Sequence, residues 1–514
     1  MRTAVLLLAG LLVSCGGDGN PGPWDDLSSP DAPPGEGLSS DDAGDGRSSP
    51  DSRVDATVPA PFTVGEDLDE RQEKPLAADY APPQEFYDAL DAMGVPTSML
   101  TWHDLGWVYD IDPSRLHWTD TIRHQGDRAP VFAKMVIEDV EDALSMSSGP
   151  AAGRDLVAAM GTYNARDAFR VSRYDRAVTV EGPTPLLDAL SAFHGTPTAD
   201  GGQGEDIPPW SEQAPAIEAA LVAVPLALRV ALAQAVLGLL EAAALRDLAL
   251  LHKGVLSIED WGKEYGKFAT GGSFYTTSIM NAAQLGLDLE TMDRAGQLAL
   301  RCLLDLHETL AGAAPIPGAA FELQGPLGRI AVDLGDGPTV WEHEDGFLLV
   351  DRGGDDTWRG RVGGNSSALR GISAALDVAG ADIYEPLFPW GIDAPSIGYR
   401  QPAQGAGVFG VGILVDGAGD DSYGTPSCGQ GFGAFGIGIL ADLGGADAYR
   451  SYDWAQGAAE FGYGLLLDRG DGADDYETLQ RSQGYGGPRG MGWLVDEGGD
   501  DHYVAVADPI IWDW

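Results

Sequence analysis

Two columns of aspartate carry the chemistry that this chain has most plainly on offer. Asp351, Asp377, Asp416, Asp442, Asp468 and Asp496 each close a short apolar run. Asp356, Asp382, Asp421, Asp447, Asp474 and Asp501 each follow after a glycine-rich turn and stand just ahead of an aromatic residue. An aspartate in that setting can accept hydrogen bonds from backbone N–H groups two or three residues on and cap its own turn. If the copies stack, equivalent carboxylates lie about 5 Å apart, and their repulsion is about 0.8 kcal/mol per pair in water and larger when buried. A cation between them reverses that sign, and Ca²⁺ suits the ligands, since it takes about six to eight oxygens from carboxylates and carbonyls. Capping and calcium both remain open for either column. The second column has no exception in any copy, whereas the residue before it is aspartate in Asp355, Asp420 and Asp500 but alanine in Ala381 and Ala446.

Other groups of site-like residues are shorter. His117, Asp120 and His124 would share a helical face, with His103 and Asp104 nearby, but a zinc site needs a third or fourth protein ligand. His307-Glu308 and Glu342-His343-Glu344-Asp345 are runs of adjacent residues, which do not face the same way on a helix or strand. They read as solvated surface. No HExxH, GxSxG or phosphate-binding glycine loop occurs. The catalytic residues of an enzyme are therefore unidentified, and a non-enzymatic module is the better expectation.

The aspartates are positioned by a repeat. Lead aspartates 416, 442 and 468 are 26 residues apart, as are 351 and 377, and the longer step from 377 to 416 holds a 13-residue insertion. Leu387 to Tyr399, with Trp390 and Asp393, is the one stretch that breaks the repeat and so the best ligand-facing loop. Trp358, Tyr384, Tyr423, Tyr449, Tyr476 and Tyr503 form an aromatic column, and Gln404, Gln430, Gln456 and Gln483 a column of amides, with Asn365 in that slot one coil earlier. A coil of 26 residues suits a β-solenoid turn of two or three short strands, each coil burying its apolar face only on its neighbours. Stacked glutamines and aromatics would form ladders down the stack. The resulting module is expected to bind or scaffold a protein or polysaccharide ligand, possible catalysis on polysaccharide in a groove along the solenoid being the alternative.

Gly353-Gly-Asp-Asp356, Gly417-Ala-Gly-Asp-Asp421 and Gly498-Gly-Asp-Asp501 resemble the calcium-binding nonapeptide of RTX proteins, a parallel β-roll in secreted bacterial proteins. That resemblance implies Ca²⁺ held between glycine-aspartate turns, although the period here is 26 and only one turn per coil is acidic. The phrase as a whole looks closer to the GGDDxY-type repeats of bacterial envelope proteins, which imply no activity.

The rest of the chain gives an address and a second domain. Residues 1–14 read as a signal peptide, with Arg2 ahead of an apolar run too short to cross a bilayer. Leu12-Val-Ser-Cys15 resembles the lipobox of bacterial lipoproteins, which implies cleavage before Cys15, lipidation of that cysteine and anchorage in the cell envelope. Gly16, rather than an aspartate, leans the destination toward the outer membrane. Residues 15–83 are rich in Pro, Gly, Ser and Asp and read as a disordered tether. Residues 84–317 have helical periodicity, with helices expected over Val131–Leu144, Pro185–Phe193, Glu290–Ala311 and Ala214–Leu251, the last broken at Pro225. Residues 318–508 are the solenoid and 509–514 a tail, so the fold class expected is α+β multidomain. Cys302 and Cys428 make no disulfide framework. A net charge of -48 disfavours nucleic acid and anionic lipid headgroups as partners.

Overall fold

The computed structural model describes residues 182–197, 207–270, 286–387 and 400–505, with shorter segments at 4–6, 62–64, 68–73, 129–146, 155–160, 170–175 and 178–180 and a few single positions. Cys15, the histidines at 103, 117 and 124, most of the insertion and the tail at 509–514 lie outside these residues.

The described residues between 328 and 505 form a parallel β-solenoid, and Ala320–Gly325 pairs antiparallel with its first strand. The strands Gly328–Asp333, Gly346–Asp351, Ile372–Asp377, Val411–Asp416, Ile437–Asp442, Tyr463–Asp468 and Met491–Asp496 stack side by side in chain order. Their register puts each lead aspartate opposite the next, as in Asp442 with Asp416 and Asp468. A second parallel sheet holds Val340–His343, Thr357–Gly360, Ile383–Glu385, Ser422–Ser427, Ala448–Asp453, Asp475–Thr478 and His502–Ala505. A third, of two-residue strands, begins only at Gly407–Val408 and continues through Gly433–Ala434 and Ala459–Glu460. The solenoid has one more rung than the six copies legible in the sequence. Asp333 pairs with Asp351, and Trp341 with Trp358. Thr339 occupies the second-aspartate slot there, and the rung is shorter, 18 residues separating Asp333 from Asp351.

The aspartate-bearing strands are buried on both faces, so they read as nearly continuous apolar runs rather than alternating ones. One face, with Leu349, Leu414, Leu440, Leu466 and Leu494, packs inward on the aromatic column. The other, with Leu348, Ile413, Ile439, Leu465 and Trp493, joins the core of the helical part. Helices among the described residues include α1 (Ala129–Met146), α2 (Pro185–His194), α3 (Trp210–Ala220), α4 (Leu226–Leu250), α5 (Ile258–Ala269) and α6 (Leu289–Ala311). Pro225 does divide the long apolar stretch: α3 runs into a short 3₁₀ turn, and α4 starts just after the proline. By length and hydropathy α4 could cross a bilayer. It is apolar nearly all round because it packs against α6, α2 and the solenoid. α6 lies on the aspartate sheet closely enough that a Cβ at Gly296 would stand 2.7 Å from Ile437.

Near the N-terminus the pairing differs from the tether expected over 15–83. Phe62–Val64 pairs antiparallel with Val178–Val180, and Leu68–Glu73 with Arg170–Asp175. Both strands fall among residues whose composition is otherwise turn-rich, so short strand signals were submerged there. Ala4–Leu6 pairs antiparallel with Met491–Asp496 at the last rung.

Candidate cation site along the aspartate spine

Each coil brings its two aspartates together at one corner, between the end of the apolar strand and the start of the aromatic one. The lead carboxylate is fully engaged. Its Oδ1 accepts the N–H two residues on: Gly353 to Asp351 at 2.8 Å, Gly444 to Asp442 at 3.0 Å, Gly498 to Asp496 at 3.1 Å. This is the aspartate turn cap. Its Oδ2 accepts from the aromatic residue of the preceding coil. Trp341 Nε1 donates to Asp351 at 2.8 Å, Tyr423 to Asp442 at 2.7 Å and Tyr449 to Asp468 at 2.8 Å. Trp358 and Tyr384 do the same to Asp377 and Asp416.

The second carboxylate is half engaged. Its Oδ1 accepts the backbone N–H of the second aspartate one coil earlier: Asp356 to Asp382 at 2.6 Å, Asp421 to Asp447 at 2.7 Å, Asp447 to Asp474 at 2.7 Å and Asp474 to Asp501 at 3.1 Å. The Oδ2 atoms of Asp356, Asp382, Asp421 and Asp447 are buried with no hydrogen-bond partner, although these residues are only 1–3% exposed. An unsatisfied buried carboxylate oxygen is costly. These atoms face the lead carboxylates. One oxygen from each of Asp382, Asp416 and Asp421 lies within 4.8 Å of the others, and the same holds for Asp356-Asp377-Asp382, Asp421-Asp442-Asp447, Asp447-Asp468-Asp474 and Asp474-Asp496-Asp501.

The electrostatics follow from that crowding. Burial first, and neighbouring aspartates after it, push the carboxyls up: Asp382 and Asp474 to about 6, Asp351 to about 7, Asp421 to about 8 and Asp447 to about 9. Burial likewise holds Asp377, Asp416 and Asp468 well above the ordinary carboxylate range. The largest charge effects on Asp377, Asp416 and Asp421 come from other aspartates. Two charges 5 Å apart in such a site repel by about 3 kcal/mol at an effective dielectric near 20. The donor set is hard oxygen throughout, which suits a hard divalent cation rather than zinc or copper.

The other two columns are built beside this corner. The aromatic rings stack face to face, 4.7 Å for Tyr384–Tyr423 and 4.9 Å for Tyr423–Tyr449, within a few degrees of parallel. The glutamines stand in one column but do not bond to each other. Gln430 Nε2 donates to the carbonyls of Tyr423 and Arg450, and Gln456 to those of Tyr449 and Glu477, so each amide clamps two successive coils through the backbone. Gln404 makes the same clamp, and Gln483 donates to Tyr476. These glutamines have φ of 48° to 53°, as unusual for non-glycine residues as the φ of 49° to 52° at Phe409, Phe435 and Phe461. That phenylalanine stack escaped the sequence reading because its signal is one aromatic per coil, set among glycines.

Compared with known proteins, the chain matches no protein-family model, no curated protein and no solved structure.

Proposed function

We propose that this protein is a lipid-anchored component of the bacterial cell envelope, held at Cys15 in the outer membrane, whose solenoid serves as a calcium-stabilised binding or scaffold module rather than an enzyme. Support for the module comes from its regularity. Aspartate and aromatic columns repeat from coil to coil, and no nucleophile, base and orienting group converge among the described residues. The observation that carries the calcium reading is the row of unpartnered, buried Oδ2 atoms, each set against two more carboxylates. Asp356, Asp382, Asp421, Asp447, Asp474 and Asp501 would hold the ions, with the lead column closing each site from the opposite side. Bound Ca²⁺ would supply positive charge to an acidic spine; the ordering of the coils is the work of the chain's own hydrogen bonds.

The full chain with and without calcium tests this. Calcium is expected to raise the melting temperature of the solenoid over an EGTA control, and Asp421→Asn with Asp447→Asn, which touches three of the five aspartate groups, should reduce that rise. No calcium response in the unsubstituted protein would sink the cation reading. Separately, Cys15→Ala should move the protein out of the detergent phase of a membrane extract; unchanged partitioning would count against the anchor.

A further inference from the structure

The run Glu342-His343-Glu344-Asp345, unpromising as adjacent residues, is gathered by the fold into one place. It spans the end of the strand Val340–His343 and the turn into Gly346–Asp351. The third sheet starts only at Gly407–Val408, so the early coils lack a strand on that side. Their corner opens into a cleft of 750 Å³, lined by the run together with Arg329, Arg361 and Arg370. Ligand sites commonly occupy about 300–1,000 Å³.

The charges in the cleft are fixed and balanced. Arg361 Nε donates to Glu344 at 2.8 Å and its Nη1 to the Tyr265 hydroxyl at 2.9 Å. Arg370 Nη1 reaches Asp345 at 3.0 Å, and Arg329 Nε stands 3.7 Å from the same carboxylate. The cleft thus holds three guanidinium groups and three carboxylates, Glu342 being met by Arg359 from outside it, in a chain that has 31 basic residues against 79 acidic ones. His343, half-buried, is pushed below its ordinary value by burial and by Arg329, so at neutral pH it adds one donor and one acceptor.

We infer that this cleft binds a neutral, polyhydroxylated ligand: a segment of a saccharide whose adjacent hydroxyls pair with the planar edges of guanidinium and carboxylate groups held side by side. An anion would meet the three carboxylates, and a cation the three guanidinium groups; a neutral polyol uses both. Fixed partners also keep the donors and acceptors in place before the ligand arrives, which lowers the cost of ordering them. The inference rests on reading the solenoid as a binding module and names the ligand class and the site within it.

The test is calorimetric titration of the full chain with neutral oligosaccharides of glucose and of N-acetylglucosamine. Oligogalacturonate and chitosan oligomers serve as anionic and cationic comparators. At least one neutral series should bind, with neither charged series binding more tightly. Arg370→Ala should weaken that binding at least tenfold, and Arg370→Lys, which keeps the charge but loses the planar fork, should recover only part of it. Arg361→Ala is a second variant, with its melting temperature measured because Arg361 also holds Tyr265. Binding that survives all three substitutions overturns the cleft as the site while leaving the module reading intact. No binding of any neutral oligosaccharide, in a protein that still shows its calcium response, overturns the ligand class.

Discussion

Where α4 meets the solenoid, the guanidinium of Arg246 is 2% exposed and is answered group by group. Its Nε and Nη2 donate to the Phe409 carbonyl at 3.0 Å and 2.7 Å, Nη2 also reaches the Ala368 carbonyl, and Nη1 meets Asp247. At the acidic corner of the same solenoid, carboxylates equally buried are stacked coil upon coil with one oxygen in four left without a donor in the middle coils. The difference teaches that burial at the junction is met by local hydrogen bonding, whereas the spine keeps buried carboxylate oxygens without a donor and its carboxyls are pushed up instead.

The largest expected effect comes from the spine as a whole. A carboxyl whose folded value is raised holds its proton more tightly in the folded state than in the unfolded one. The stability this gives is fully present below the unfolded value near 4 and is lost as pH rises through the folded values. Those lie at about 6 for Asp382 and Asp474, about 7 for Asp351, about 8 for Asp421 and about 9 for Asp447. In EGTA the melting temperature should therefore fall steadily between pH 5 and pH 9, summed over the coils. A constant or rising profile would break the comparison, since the spine would then be as self-sufficient as Arg246.

Removing the arginine should cost less. Arg246→Ala strips the Phe409 and Ala368 carbonyls of their donors and is expected to destabilise by about 3 kcal/mol in denaturant titration. That loss should be the same at pH 5 and pH 8, unlike any change in the spine. The smallest effect separates the two columns. Asp442→Ala removes the cap on Gly444 and the partner of Tyr423 and should cost about 2 kcal/mol. Asp447→Asn keeps its acceptor and adds an N–H where the orphan oxygen stood, so in EGTA it should lie within about 1 kcal/mol of the unsubstituted protein. Equal costs at the two positions would show that the columns are alike.

The parallel solenoid, its period and its aromatic column were legible because each coil repeats the same few residues at fixed spacing. The helical middle was legible from periodicity, down to the break at Pro225. The rung ending at Asp333 was hidden because its coil is short, carries Thr339 in place of an aspartate and has tryptophan at 341. The twofold burial of the aspartate strands showed only as long apolar runs. Whether Asp442 and Asp447 differ in role depends on which donors lie within reach, Tyr423 for one and the Asp421 N–H for the other, and spacing along the chain does not report that. The cleft was missed for a similar reason: Arg361 and Arg370 meet Glu344 and Asp345 only through the fold.

The hydrogen bonds from the second-aspartate N–H groups of the spine lean one way, and most of the aromatic donors lean with them. The Asp421 N–H reaches forward to Asp447, the Asp447 N–H to Asp474, and Tyr423 and Tyr449 to Asp442 and Asp468. At the end, Tyr503 turns back to Asp496 of its own coil at 2.6 Å. The second-aspartate N–H of each coil is thus met by the coil translated after it, while Ala381 and Ala446 reach back to Asp355 and Asp420. A chain emerging from its N-terminus would always carry one incomplete coil at its growing tip, and cutting it short at any repeat would recreate that tip with its donors pointing into solvent. Losing the 26 residues between one lead aspartate and the next would leave the forward partners of the second-aspartate N–H groups matched.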